Sequence, residues 1–205
     1  MPFKINLILN KKIFSPIKKM LNEKKLNAMK RLKEEFISLN NHPDINIGLT
    51  VGLEDEDNIF RWGITLAGPK DTSYRGGVFW LDIDFPDDYP NSKPEVCFRT
   101  PIYHLNINPI KSNVPGAEPL GHVSISTLNY WRPEYKMIDV FIHIFGLFYM
   151  ANPDSPYGLD RANELRFNRA LHEEKIKHFT KKYANPRFAN IQKKYFESWD
   201  FSYNK

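Results

Sequence analysis

The sequence predicts an α+β domain: an N-terminal helix, a four-stranded antiparallel meander, then three C-terminal helices. Apolar residues recur every third or fourth position near both ends of the chain and alternate strictly with other residues in the middle. The loops between the alternating runs are too short for the crossover helices that a parallel sheet requires.

The first helix is expected from Asn22, where Leu26, Met29, Leu32, Phe36 and Leu39 form one stripe and lysines and glutamates fill the other faces. His42-Pro43 should end it. Ahead of it, residues 1–21 mix apolar clusters with lysines, and Pro16 is expected to break any helix there. That segment reads as a basic extension, either a solvated tail or an arm that lies on a surface or a partner. It lacks the cleavage site of a secretory signal and the Arg- and Ser-rich character of a transit peptide.

Ile45, Ile47, Leu49, Val51 and Leu53 make the first strand, closed by the acidic turn Glu54-Asp55-Glu56-Asp57. Phe60, Trp62, Ile64 and Leu66 make the second, Phe79, Leu81, Ile83 and Phe85 the third, and Val96 with Phe98 a short fourth. From Pro101 to Pro133 no long periodic run occurs, and a loop of that length is usually functional. Helical spacing returns in Met137, Phe141, Phe145 and Phe148, then in Ala162, Leu165 and Ala170, and in Ile176 to Tyr183. The domain is therefore placed at residues 22–184, with 185–205 as a tail of little pattern.

At 205 residues, 41% hydrophobic and 26% charged, the chain suits one globular domain with appended ends. Its net charge of +5 is unevenly spread, because residues 1–33 hold ten Lys/Arg against one Glu and the remainder is mildly acidic. A basic stripe running through the fold is missing, so no nucleic-acid partner is expected. The single cysteine, Cys97, excludes an intramolecular disulfide and a thiolate-rich zinc site. It fits a reducing compartment, the cytoplasm or nucleus, and reads as a small core residue of the fourth strand. The longest apolar stretch, 137–151, is interrupted by Asp139, His143 and Gly146 and falls short of the ~20 residues of a membrane span, so it reads as a buried helix.

Five motifs stand at the joints between these elements. Gly68-Pro69-Lys70-Asp71-Thr72-Ser73-Tyr74-Arg75-Gly76-Gly77-Val78-Phe79 precedes the third strand, and Phe85-Pro86-Asp87-Asp88-Tyr89-Pro90, with Pro94, follows it. Then come Thr100 to Asn106, Trp131-Arg132-Pro133 and Asn152-Pro153-Asp154-Ser155-Pro156. In this order, over roughly residues 22–184, they resemble the ubiquitin-conjugating enzyme family. Its corresponding motifs are Gly-Pro, two residues, Thr-Pro-Tyr-Glu-Gly-Gly before the strand, and Phe-Pro, two residues, Tyr-Pro, three residues, Pro after it.

The resemblance implies a site. In the family a cysteine carries ubiquitin as a thioester, and an Asn stabilises the oxyanion or the nearby loop while a substrate lysine attacks. Asn106 matches that Asn, and Asp154 with Ser155 matches the gate that orients the lysine, although a helix N-cap accounts for Ser155 equally well. In Gly121-His122-Val123-Ser124-Ile125-Ser126-Thr127-Leu128, Ser124 stands where the cysteine belongs. A thiol with pKa ~8.5 is a few per cent ionised at neutral pH, whereas a serine hydroxyl needs a partnered base. His122 shares a face with Ser124 if the backbone is extended, which makes a Ser-His pair conceivable, but no third member is apparent. His104 is expected to brace the loop.

Further departures touch the same region. Leu105 replaces the family's proline before the Asn, which should loosen that loop. The interval from residue 106 to residue 124 is 18, where the family commonly has about eight. Asn91 and Glu134 occupy the positions where a RING-type ligase finds an apolar and a small residue. A lysine-rich first helix (Lys24, Lys25, Lys30, Arg31, Lys33) resembles the family's surface for the activating enzyme.

A third reading, a structural or interaction domain of the related fold without the reactive segment, is opposed by Trp131-Arg132-Pro133, Asn152-Pro153-Asp154 and the helices through Tyr183, which leaves two main expectations. Either the chain is a catalytically inactive family member that binds ubiquitin, a ubiquitin-like protein or an active conjugating partner, or it is an active enzyme whose cysteine has been substituted by Ser124. The resemblance implies an activating enzyme or active conjugating enzyme as partner, a ligase as a further one, and neither a metal nor an organic cofactor.

Overall fold

A computed structural model describes residues 3–41 and 48–186, with side chains from residue 20 onward. The order is α1 (Phe3–Asn40), β1 (Leu49–Leu53), β2 (Arg61–Ala67), β3 (Val78–Asp84), β4 (Glu95–Phe98), α2 (Ser126–Asn129), α3 (Met137–Tyr149), α4 (Leu159–Phe167) and α5 (Arg169–Tyr183). The strands form one antiparallel sheet in the order β1-β2-β3-β4, as the short loops predict.

The alternation has a visible cause. Trp62, Ile64 and Leu66 pair across the sheet with Ile83, Leu81 and Phe79, and all six are buried on one face. Leu81 and Ile83 continue to Phe98 and Val96. A run of rings joins this face to its surroundings: Phe36 of α1 lies 5.3 Å from Trp62, Trp62 4.7 Å from Phe85, Phe85 5.0 Å from Tyr89 and Tyr89 5.8 Å from Trp131. Tilted and edge-on pairs such as these add about 1 kcal/mol each beyond their burial.

Three expectations are corrected. Pro16 does not break the first helix, since α1 runs without interruption from Phe3 to Asn40, through the extension placed at 1–21. A proline withholds one backbone donor, and the turns on either side keep theirs. Cys97 is not a core residue: Val96 and Phe98 take the buried face of β4, which turns Cys97 to the other side, where it is half-buried. In α1, Leu26 is exposed, while Glu35 joins Ala28, Leu32 and Leu39 inside. Its carboxylate accepts from Tyr89 Oη at 2.9 Å and the Met137 N–H at 2.7 Å and pairs with Arg31, so the charge is fully engaged.

The helix stop at His42-Pro43, the strand positions Ile45 and Ile47, and the tail from residue 187 lie outside the described residues. The expected loop 101–133 contains one helical turn, α2, that periodicity does not reveal. No helix among the described residues is long and apolar enough to cross a membrane.

Candidate functional site

The site is built where the segment 103–108 meets the segment 121–125. Asn108 N–H donates to the His122 carbonyl at 2.9 Å, Gly121 N–H to the Asn108 carbonyl at 2.8 Å, and Ser124 N–H to the Asn106 carbonyl at 2.9 Å. Ile107 and Val123 bridge between these bonds, and both are buried. The pairing brings Asn106 beside Ser124 although 18 residues separate them. Gly121 starts the second segment with φ +81°, and a Cβ there would overlap the Phe98 carbonyl, so only glycine fits.

Ser124 is half-buried, two residues ahead of α2. Its Oγ accepts a hydrogen bond from Asn129 Nδ2 at 3.2 Å. An amide N–H can hold the hydroxyl but cannot remove its proton. His122 does not serve either: it is 4% exposed, and its ring nitrogens are taken by Glu118 Oε2 at 3.0 Å and by the Tyr157 hydroxyl. Burial moves its pKa below the ordinary imidazole value. The conceivable Ser-His pair is therefore not formed, and His122 is buried rather than a surface histidine.

Asn106 is fully buried and its amide is saturated. Nδ2 donates to the carbonyls of Asn152 at 2.9 Å and Ser155 at 3.0 Å, and Oδ1 accepts the Asn152 N–H at 2.8 Å. The amide thus ties the segment 103–108 to the loop bearing Asp154 and Ser155. Asp154 is exposed, and its Oδ1 accepts from Arg166 of α4 at 3.1 Å, while another bond from Arg166 reaches the Pro153 carbonyl. Ser155 is exposed and does not cap α4, whose N-cap is Gly158.

The segment around Leu105 is fixed by other means than a proline ring. Leu105 is fully buried and its carbonyl accepts the Tyr157 N–H at 2.7 Å. The neighbouring carbonyls of Tyr103 and His104 accept from the Tyr74 hydroxyl at 3.0 Å and Arg161 at 3.1 Å. His104 braces it from inside: Nδ1 accepts the Asn106 N–H at 2.9 Å, so the proton sits on Nε2, which donates to the Leu147 carbonyl at 3.1 Å. Complete burial pushes its pKa down to about 4.

The extra residues between Asn108 and Gly121 leave the domain as an exposed loop with a closed base. Asn108 Nδ2 donates to the carbonyls of Glu118 and Pro119, both at 2.8 Å, and its Oδ1 accepts the Ile110 N–H. At the neighbouring edge, Trp131 Nε1 donates to the Pro90 carbonyl at 2.7 Å, joining the two loops that carry Asn91 and Glu134, both exposed. In α1, Lys24, Lys30 and Lys33 are exposed, whereas Lys25 pairs with Asp87 at 2.8 Å and Arg31 is engaged with Glu35 and the Tyr135 carbonyl. Cys97 offers no substitute nucleophile, because burial, with Glu95, Asp84 and Glu118 nearby, raises its thiol pKa well above the usual range.

Of the residues read from the sequence, Asn106, Ser124, Asp154 and Ser155 fall within one connected region. Asn129, Tyr157, Glu118 and Arg166 were missed. Their partners named above lie 4 to 35 residues away in sequence, and the only available signal was the Asn152-to-Pro156 motif close to Tyr157.

Comparison with known proteins agrees with this geometry. A family model described as ubiquitin-conjugating enzyme matches residues 31–180. The chain is also similar to ubiquitin-conjugating enzyme E2 13 of Arabidopsis thaliana, at 33% identity over 157 residues, which cover 74% of this chain and 92% of the relative.

Proposed function

Since the chain belongs to the ubiquitin-conjugating enzyme family, and with it to ubiquitin conjugation, we propose that it is a member that does not charge. On this reading it uses the fold to hold ubiquitin, a ubiquitin-like protein or an active conjugating partner. The observation that carries the reading is the surroundings of Ser124: an amide donor on Oγ, and His122 turned away and engaged by Glu118 and Tyr157. A hydroxyl so placed has no path for its proton when a thioester from the activating enzyme approaches.

Asn106 on this reading keeps its structural half, holding the loop 152–155 as part of a binding surface. The exposed Lys24, Lys30 and Lys33 support contact with an acidic partner such as an activating enzyme. Exposed Asn91 and Glu134 argue against the usual ligase contact, because no apolar anchor is available there. The cytoplasm or nucleus is the proposed location, and ATP enters only through the activating enzyme.

A second reading rests on how complete the scaffold around residue 124 is. Gly121 keeps its required backbone, the Ser124 N–H is bonded to Asn106, and the gate is held. These features suit an active enzyme in which serine has replaced the cysteine. Residue 124 would then receive ubiquitin as an oxyester, Asn106 would stabilise the oxyanion loop, and Asp154 with Ser155 would orient the lysine.

Charging separates the two. The chain and Ser124→Cys are incubated with activating enzyme, ATP and ubiquitin, or a related modifier, and resolved on gels with and without reductant. The non-charging reading expects no adduct on either, together with saturable binding of free ubiquitin or of an active conjugating enzyme. A reductant-sensitive adduct on Ser124→Cys alone transfers the assignment to the second reading.

A further inference from the structure

A groove of about 940 Å³, lined by none of Asn106, Ser124, Asp154 and Ser155, runs between the β2–β3 loop, the end of α3 and α5. Its lining is mixed, more polar than apolar, and its accessible apolar part comes chiefly from Leu147 and Tyr149, with Phe148 and Ile176 buried beneath. Tyr149 is 57% exposed, an unusual setting for a large aromatic ring that closes a helix. His172 also lines the groove, is 3% exposed, and has an Nδ1 that makes no hydrogen bond: Glu164 Oε2 is 3.8 Å away, beyond bonding range.

The rim is cationic. Lys70 and Arg75 project from the β2–β3 loop, and Lys177 and Lys181, one turn apart on α5, stand on the other side. All four are exposed, and none has an ion-pair partner among the described residues. The remaining charges at the groove are Arg169 and Glu173, which pair with each other at 2.9 Å, and Asp71. Among the described residues, four cations without an ion-pair partner therefore face one such carboxylate. Arg75 also stands where the family motif quoted above has Glu, so one position moves the local charge by two units relative to that motif.

From this geometry we infer that the groove docks an acidic segment of a partner protein, one that carries an apolar side chain between its carboxylates. The cations on the two walls bind carboxylates on either side, and the side chain between them covers the Leu147 and Tyr149 surface. An apolar segment without acids would leave the cations unmatched, and a simple anion would leave the floor uncovered. The inference does not depend on what residue 124 does.

The test uses the full chain and a fluorescent peptide, Glu-Asp-Phe-Glu-Asp-Leu-Glu-Glu, followed by anisotropy, with a Gln/Asn counterpart as control. Saturable binding of the acidic peptide is expected, weakening as salt is raised, with the counterpart bound at least about tenfold less tightly. Arg75→Glu and Lys177→Glu, on separate elements, should each weaken binding several-fold and together at least about tenfold, with unchanged circular dichroism melts. Amide shifts should centre on residues 147–149 and 173–181. No saturable binding, binding insensitive to both reversals, shifts centred on Ser124, or equal Arg75-dependent binding of inorganic phosphate or of anionic phosphatidylserine vesicles would each overturn the proposal.

Discussion

Asn106 and Asn152 hold each other by two opposed hydrogen bonds, the Asn106 amide nitrogen giving to the Asn152 carbonyl at 2.9 Å and its oxygen taking the Asn152 N–H at 2.8 Å. A third bond, to Ser155, extends the clasp across the gate. Truncating Asn106 leaves one part-buried N–H and two part-buried carbonyls without their partner. Asn106→Ala should therefore cost about 2–4 kcal/mol of stability. Hydrogen exchange at residues 152–157 should rise more than in the sheet; a uniform rise would refute the clasp.

Gly121 and Gly116 offer a controlled pair. Both have positive φ, +81° and +79°, but a Cβ at Gly121 meets the Phe98 carbonyl and one at Gly116 meets nothing within 4 Å. Gly116→Ala should cost about 1 kcal/mol, the left-handed backbone penalty alone. Gly121→Ala should cost roughly 3 kcal/mol or more, since backbone must move. Urea unfolding of the two variants measures the difference, and equal costs would contradict the close approach.

Acid should weaken the fold well above the range where carboxylates titrate. Burial lowers the pKa of His104, to about 4, and of His122 and His172. The unfolded chain takes these protons near pH 6.5, so between pH 6.5 and 4 it binds more protons than the native state, and stability falls as pH falls. His104 alone accounts for about 3 kcal/mol of that loss by pH 4, and above pH 6.5 it contributes nothing to the slope. Denaturant titrations at several pH values check this. His104→Gln should start less stable at neutral pH yet lose less on acidification.

Glu35 is the buried charge on which α1 and α3 depend. Tyr89→Phe removes one of its donors and should cost about 1–2 kcal/mol, while Glu35→Ala, which strands Arg31, the Tyr89 hydroxyl and the Met137 N–H, should cost more than 3 kcal/mol. Similar melting temperatures for the two variants would mean that the carboxylate is not shared in this way.

What the sequence makes legible follows from how local each cause is. The strands could be read because every second residue of β2 and β3 packs on one core, and the same rule, applied to Val96 and Phe98, already turns Cys97 outward. The one-turn α2 is shorter than any periodicity. Glu35 occupies an apolar stripe because of Tyr89 and Met137, 54 and 102 residues away, and nothing near it announces them. At the site, motifs single out Asn106, but which atoms its amide engages depends on a loop 46 to 49 residues on.

Asn108, by closing the base of the extra loop on Glu118 and Pro119, separates the length of that loop from the integrity of the domain. Once the neck is fixed, lengthening the excursion costs only a logarithmic loop entropy, roughly 0.6 kcal/mol per doubling. Residues 111–117 are thus a graftable cassette: an epitope, a shorter turn or a reporter peptide can be exchanged there, a few residues from position 124, without redesigning the scaffold beneath it.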